Sequence, residues 1–250
     1  MHDINIQTIL IAFLAFVIAG CVRGIVGIGF TMLTMGLLSL FTSPAEAAAL
    51  LIIPALVTNV WQFVAGPHCL PLMRRMWLML LSICTVTWAA AGLITRSGAT
   101  HAGAALGGAL VLYSIMGIAK VRISVSKRVE VWLSPIIGAL TGVVTGSTGI
   151  QVIPVGPYLQ ALGLEKDALV QALGLSFTTS TIALAAGLET RGAYHMSAAG
   201  ISILCILPAL AGMSLGRWVR GKIDSETFRR LFLIGLLFLG SGLIFRSAIR

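Results

Sequence analysis

Gly20-Cys21-Val22-Arg23-Gly24-Ile25-Val26-Gly27-Ile28-Gly29-Phe30 and Gly138-Ala139-Leu140-Thr141-Gly142-Val143-Val144-Thr145-Gly146-Ser147-Thr148-Gly149-Ile150-Gln151 are two apolar stretches broken by glycine, in matching places of a 250-residue chain. Gly20 and Gly24 fall on Gly138 and Gly142 at an offset of 118. Further on, Glu46-Ala47 falls on Asp167-Ala168, and Gly66 on Gly187, at an offset of 121. Interrupted hydrophobic segments at corresponding positions of two halves are the sequence mark of a transporter whose site lies at the breaks.

Composition agrees with a chain that lives in lipid. Hydrophobic residues make up 58% and charged residues 10%, against roughly 25% charged in soluble domains, and the mean hydropathy is +1.00. The apolar stretches are too long and too uniform for barrel strands. The fold class expected is an all-α polytopic membrane protein built from two inverted repeats, each a glycine-broken pair plus three transmembrane helices. A net charge of +9 would suggest nucleic acid in a soluble protein; here basic loops that orient the chain and meet anionic lipid account for it. Cys21, Cys69, Cys84 and Cys205 contain no CxxC pair and read as small buried side chains. No Lys or Arg precedes Arg23, so the first segment lacks the basic start of a signal peptide and is expected to stay.

The apolar stretches run roughly 5–22, 25–41, 45–65, 77–95, 102–119, 131–145, 148–162, 167–187, 196–216 and 228–246. A basic linker, 120–130, separates a first repeat, 1–119, from a second, 131–250. Segments 131–145 and 148–162, about 22 Å each, fall short of a hydrocarbon core of about 30 Å. Each pair is thus one kinked helix, two thin crossings or a re-entrant hairpin. If the pair returns to its starting side, the cations divide 12 to 4 between the two faces. A single kinked helix divides them 9 to 7. The positive-inside rule favours the first division, which inverts the halves and puts both termini outside.

At a break, half-helix N-termini offer unpaired N–H donors to an anion, and Gly24, Gly27 and Gly146 let it approach the backbone. Thr145, Ser147 and Thr148 add hydroxyls, and Gln151 an amide. Arg23, a cation in an apolar zone, needs a partner. A bidentate oxyanion supplies one; the alternative is that Arg23 snorkels to the surface. Asn59, Gln62 and Thr179 sit at equivalent depths of 45–65 and 167–187 and either line the site or join neighbouring helices. Ser43-Pro44-Ala45-Glu46 reads as a helix start. All eight acids lie at or near segment ends, so no buried proton relay is visible, although proton coupling remains the default.

These residues resemble the TauE/SafE-type sulfite exporter family, also called the toluene sulfonate uptake permease family. The resemblance spans essentially the whole chain. It rests on Val22-Arg23-Gly24-x-x-Gly27-x-Gly29-Phe30, Pro44 to Ala47, Asn59-x-Trp61-Gln62, Gly138-x-x-x-Gly142 through Gly146-x-x-Gly149, and Leu162-Gly163-Leu164 with Lys166. It implies a multi-pass inner-membrane permease, not an enzyme, for small sulfur-containing anions such as sulfite, sulfonates and sulfoacetate. The partners expected are that anion and membrane lipid, with no nucleic acid, metal or cofactor; homo-oligomerisation stays open. An anion channel or a non-transporting receptor on the same fold is the alternative. An intramembrane serine protease is disfavoured, because Gly146-Ser147-Thr148-Gly149 is not GxSG and no His lies within a span.

Overall fold

The computed structural model describes residues 6–96, 98–119, 124–193, 196–220, 222 and 224–249. His2, Asp3, Lys120, Arg122, His195 and Arg250, which entered the charge and histidine readings above, lie outside the described residues. All described elements are helices: α1 Ile6–Val26, α2 Phe30–Leu38, α3 Pro44–Val64, α4 Cys69–Arg96, α5 Gly98–Ile118, α6 Lys127–Thr148, α7 Val155–Ala161, α8 Lys166–Glu189, α9 Met196–Leu204, α10 Ile206–Arg220 and α11 Ser225–Ile249. Six stretches are long and apolar enough to cross a membrane: Pro44–Val64, Cys69–Thr95, Arg128–Thr148, Lys166–Glu189, Gly200–Arg220 and Glu226–Ala248. The chain is an all-helical polytopic membrane protein. The fifth stretch joins α9 to α10, and Pro208 explains the seam at Cys205. Proline has no N–H to give the carbonyl four residues back, so the helix breaks there.

The broken pairs differ from the expected halves of equal length. The α1 and α6 helices have 21 and 22 residues, about 31 and 33 Å. The α2 and α7 helices have only 9 and 7, about 13 and 10 Å. Helix α6 runs straight through Gly138, Gly142 and Gly146. A glycine inside a helix keeps its hydrogen bonds when a neighbour packs on it, and all three are packed. A Cβ at Gly138 would meet the Met79 carbonyl at 2.5 Å, one at Gly142 the Val86 side chain at 2.8 Å, and one at Gly146 would meet Ala90 at 2.6 Å, all on α4. The breaks come one residue past the helix ends, at Gly27 (φ +87) and Gly149 (φ +75). Only glycine enters that left-handed region without steric cost. Gly27 N–H closes on the Arg23 carbonyl at 2.7 Å and Gly149 N–H on the Thr145 carbonyl at 2.8 Å.

Packing fixes the helix directions. Gly20 and Gly24 of α1 lie in order on Ala209 to Arg217 of α10, so these two run together; Gly138 to Gly146 of α6 do the same along Met79 to Ala91 of α4. Close approach of small residues is how membrane helices gain dispersion contacts. Helix α4 also runs with α8, since Cys69 meets Gln171 and Ala91 meets Gly187. Helices α5 and α11 are antiparallel, with Gly103 near Ser247 and Gly117 near Leu233. Helices α3 and α8 are antiparallel too, with Asn59 at Thr181 and Gln62 at Val170. The result is one direction for α1, α3, α5 and α9–α10, and the opposite for α4, α6, α8 and α11. Arg74, Arg75, Lys127, Arg128, Lys166, Arg217, Arg220, Lys222, Arg229 and Arg230 consequently gather at one end, while Arg96, Arg191 and Arg246 lie at the other.

Candidate functional site

Arg23 sits one turn before the end of α1 and is buried, 6% exposed. It does not snorkel. Its Nη1 and Nη2 each donate to Asn59 Oδ1 at 3.0 Å, and Nη2 also reaches the Thr58 carbonyl at 3.3 Å and Gln62 Oε1. The Phe30 ring, at the start of α2, lies 5.6 Å from the guanidinium carbon. Every hydrogen-bond acceptor of this cation is a neutral oxygen, and among the described residues no carboxylate pairs with it. A buried charge is costly unless it is paired and hydrogen-bonded. The neutral amides offset part of that cost and leave the net charge in place.

Asn59 passes the interaction on. With its Oδ1 turned to Arg23, its Nδ2 donates to Gln151 Oε1 and to Thr181 Oγ1, both at 3.4 Å. Gln151 Nε2 donates to Thr181 Oγ1 at 2.7 Å, and Thr181 donates to the Phe177 carbonyl at 2.8 Å. Asn59, Gln151 and Thr181 are 0–1% exposed. One buried polar network thus links α1, α3, the loop after α6, and α8. Gln62 ties it to the basic end, its Nε2 donating to the Val170 carbonyl at 3.0 Å. The network joins Arg23, Asn59, Gln62 and Gln151, all singled out in the sequence, to Thr181 in place of the expected Thr179. The Thr179 hydroxyl donates back to the Leu175 carbonyl of its own helix at 3.0 Å.

The expected hydroxyl cradle at 145–148 is not formed as read. These residues end α6, where a helix presents carbonyls and partial negative charge, instead of opening a half-helix with free N–H groups. Their hydroxyls turn to backbone carbonyls: Ser147 to Val143 at 2.8 Å and Thr148 to Val144 at 2.6 Å within the helix, and Thr145 to Ile150 in the following loop at 3.1 Å. Gly24 and Gly146 are likewise packing residues, pressed on α10 and α4. Gly27 is different: a Cβ there would meet nothing within 4 Å, so its backbone borders open space one turn from Arg23.

A polar clamp stands beside the network at the basic end. Gln171, 2% exposed, donates to the Phe63 carbonyl at 2.6 Å and accepts from His68 N–H at 2.8 Å. It holds the α3–α4 turn on α8, and Gly66 is required because a Cβ there would strike the Gln171 amide at 2.7 Å. Gln171 has no sequence signature beyond being a glutamine in an apolar run.

A family model described as Sulfite exporter TauE/SafE matches residues 12–243 of the chain. No curated protein and no solved structure matches it.

Proposed function

The chain belongs to the sulfite exporter TauE/SafE family, which makes it a membrane transporter of the sulfur-anion exporter type, and we propose that it moves sulfite, a sulfonate or sulfoacetate through the Arg23–Asn59–Gln151–Thr181 network. The observation that carries this reading is Arg23: a buried cation whose partners are all neutral. An oxyanion can take the places of Asn59 Oδ1 and Gln62 Oε1 on the guanidinium fork and supply the missing charge. The amides so released turn N–H donors toward the anion's other oxygens. A sulfite or sulfonate group, with three oxygens on one sulfur, offers acceptors to both the guanidinium and the amides.

Transport follows as alternating access between inverted halves. Pairing α1, α3, α4 and α5 with α6, α8, α9–α10 and α11 in order puts each helix opposite in direction to its counterpart, which supports inversion. Helix α1 packs on α10 of the other half, and α6 on α4, so the halves interlock through glycine-lined crossings. Sliding at these crossings would open the network first to one side and then to the other. Cytoplasmic placement of the basic end agrees with the positive-inside rule.

Flux of sulfite, sulfoacetate, sulfate and a carboxylate into proteoliposomes tests the reading, for the wild type and Arg23→Gln. Saturable flux of a sulfur oxyanion, lost in the variant, is expected. Sulfur-anion flux that survives the substitution would remove Arg23 from the site, and non-saturable flux would favour a channel.

A further inference from the structure

At the basic end, between α4 and α6, lies a cleft of about 470 Å³ lined by Arg75, Trp77, Leu78, Glu130, Val131 and Ser134. That volume lies within the range of small-molecule sites, roughly 300–1,000 Å³. Its walls are of two kinds. Trp77 and Val131 are 57% and 60% exposed, and below them Leu81, Ile136 and Leu140 continue an exposed apolar face along the same two helices. In a membrane-spanning protein such a face meets acyl chains. Toward the basic end the cleft closes on Arg75. Its Nε and Nη2 each bond Glu130 at 2.7 Å, and Glu130 is itself buried.

That ion pair orients Arg75 without satisfying it. A guanidinium has five N–H donors and Glu130 takes two; the side chain of Arg75 stays 38% exposed. Glu130 is in turn fixed from behind, because Tyr158 donates to its carbonyl at 3.4 Å and shares a 2.6 Å hydrogen bond with Ser134. Exposed Arg74 and Arg128 flank the pair in sequence. An oriented cation at the head of an apolar trough complements a molecule with an anionic head and hydrocarbon tails.

We propose that the α4–α6 cleft is a binding site for an anionic phospholipid, its phosphate on Arg75 and the start of an acyl chain against Trp77, Leu78 and Val131. The site is separate from the transport network, to which none of its lining residues belongs. The lipid would brace α4 against α6, one of the crossings between the two halves.

Native mass spectrometry of the whole protein, with phosphatidylglycerol and phosphatidylcholine titrated into the detergent-solubilised form, tests this. Phosphatidylglycerol should bind at a saturable site ahead of phosphatidylcholine. Arg75→Gln combined with Glu130→Gln, which leaves no buried charge unpaired and the net charge unchanged, should weaken phosphatidylglycerol binding several-fold through loss of the guanidinium's charge-assisted hydrogen bonds to the phosphate. Val131→Trp fills the trough, keeps the ion pair, and should remove the site while sulfur-anion flux in phosphatidylcholine vesicles is unchanged. Equal retention of both lipids, or phosphatidylglycerol binding that survives Val131→Trp, would overturn the proposal. So would full competition by inorganic phosphate, which would make the cleft a simple anion site.

Discussion

Asn59 and Thr181 meet at 3.4 Å across the crossing of α3 and α8, and they are 122 positions apart, the interval that also separates the left-handed glycines Gly27 and Gly149. The N-caps of α3 and α8, Ser43 and Glu165, repeat it. Two positions at that shared interval thus touch within the polar network. Arg23 corresponds to Thr145 at the same interval: one half supplies the cation, and the other a hydroxyl turned to its own loop.

The Asn59–Thr181 junction should behave as a coupled unit. Thr181→Val removes an acceptor shared by Gln151 Nε2 and Asn59 Nδ2, and Asn59→Ala removes the Oδ1 that accepts from both Nη1 and Nη2 of Arg23. A double-mutant cycle read by thermal unfolding in detergent should show a coupling of about 0.6–2 kcal/mol. Strict additivity would dissolve the network into independent contacts.

Glycine substitutions should rank by what the new methyl meets. Gly27→Ala meets open space and costs only the left-handed backbone, about 1–2 kcal/mol. Gly149→Ala adds the Met35 methyl at 2.8 Å, which can move. Gly24→Ala drives a methyl into the Met213 carbonyl at 2.5 Å and the backbone of α10, which cannot. Unfolding temperatures should fall in that order, Gly24→Ala the lowest. A Gly24→Ala protein as stable as Gly27→Ala would refute the tight α1–α10 crossing.

Gln171→Leu should loosen the α3–α4 turn. It leaves the His68 N–H without its partner and the Phe63 carbonyl with only the Cys69 thiol, at about 1–3 kcal/mol for a buried group left unsatisfied. Faster modification of Cys69 by a thiol reagent is the expected readout. Cys69 modified at the wild-type rate in folded protein would show that Gln171 does not hold the turn.

Orientation is tested on a cysteine-free background with single cysteines at Ser126 and Ala193, which lie at opposite ends of the molecule. An impermeant maleimide added to intact cells should label position 193 and spare position 126. The reverse pattern would place the basic end outside and contradict the charge argument.

Much of this protein was legible without coordinates. Membrane class, helical content and the repeated plan of a broken pair followed by three helices come from hydropathy and glycine placement. Arg23, Asn59, Gln62 and Gln151 stood out because polar side chains in lipid must find partners. The register between halves was not legible. Glycines four residues apart look the same when slid by one helical turn, so Gly20 and Gly24 fit Gly138 and Gly142 as well as Gly142 and Gly146. Only the shared left-handed caps at Gly27 and Gly149 choose the second match.

Sequence by itself therefore determined the environment of each segment and the chemistry gathered near the breaks, because burial in lipid acts on residue type. The tertiary structure decided which glycines pack and which bend the chain, and that the hydroxyls at 145–148 face carbonyls. It also decided that the cation of one half is answered by an amide two helices away. The surface that the packed glycines meet comes from a helix remote in the chain, α10 for α1 and α4 for α6, and no local pattern carries that information.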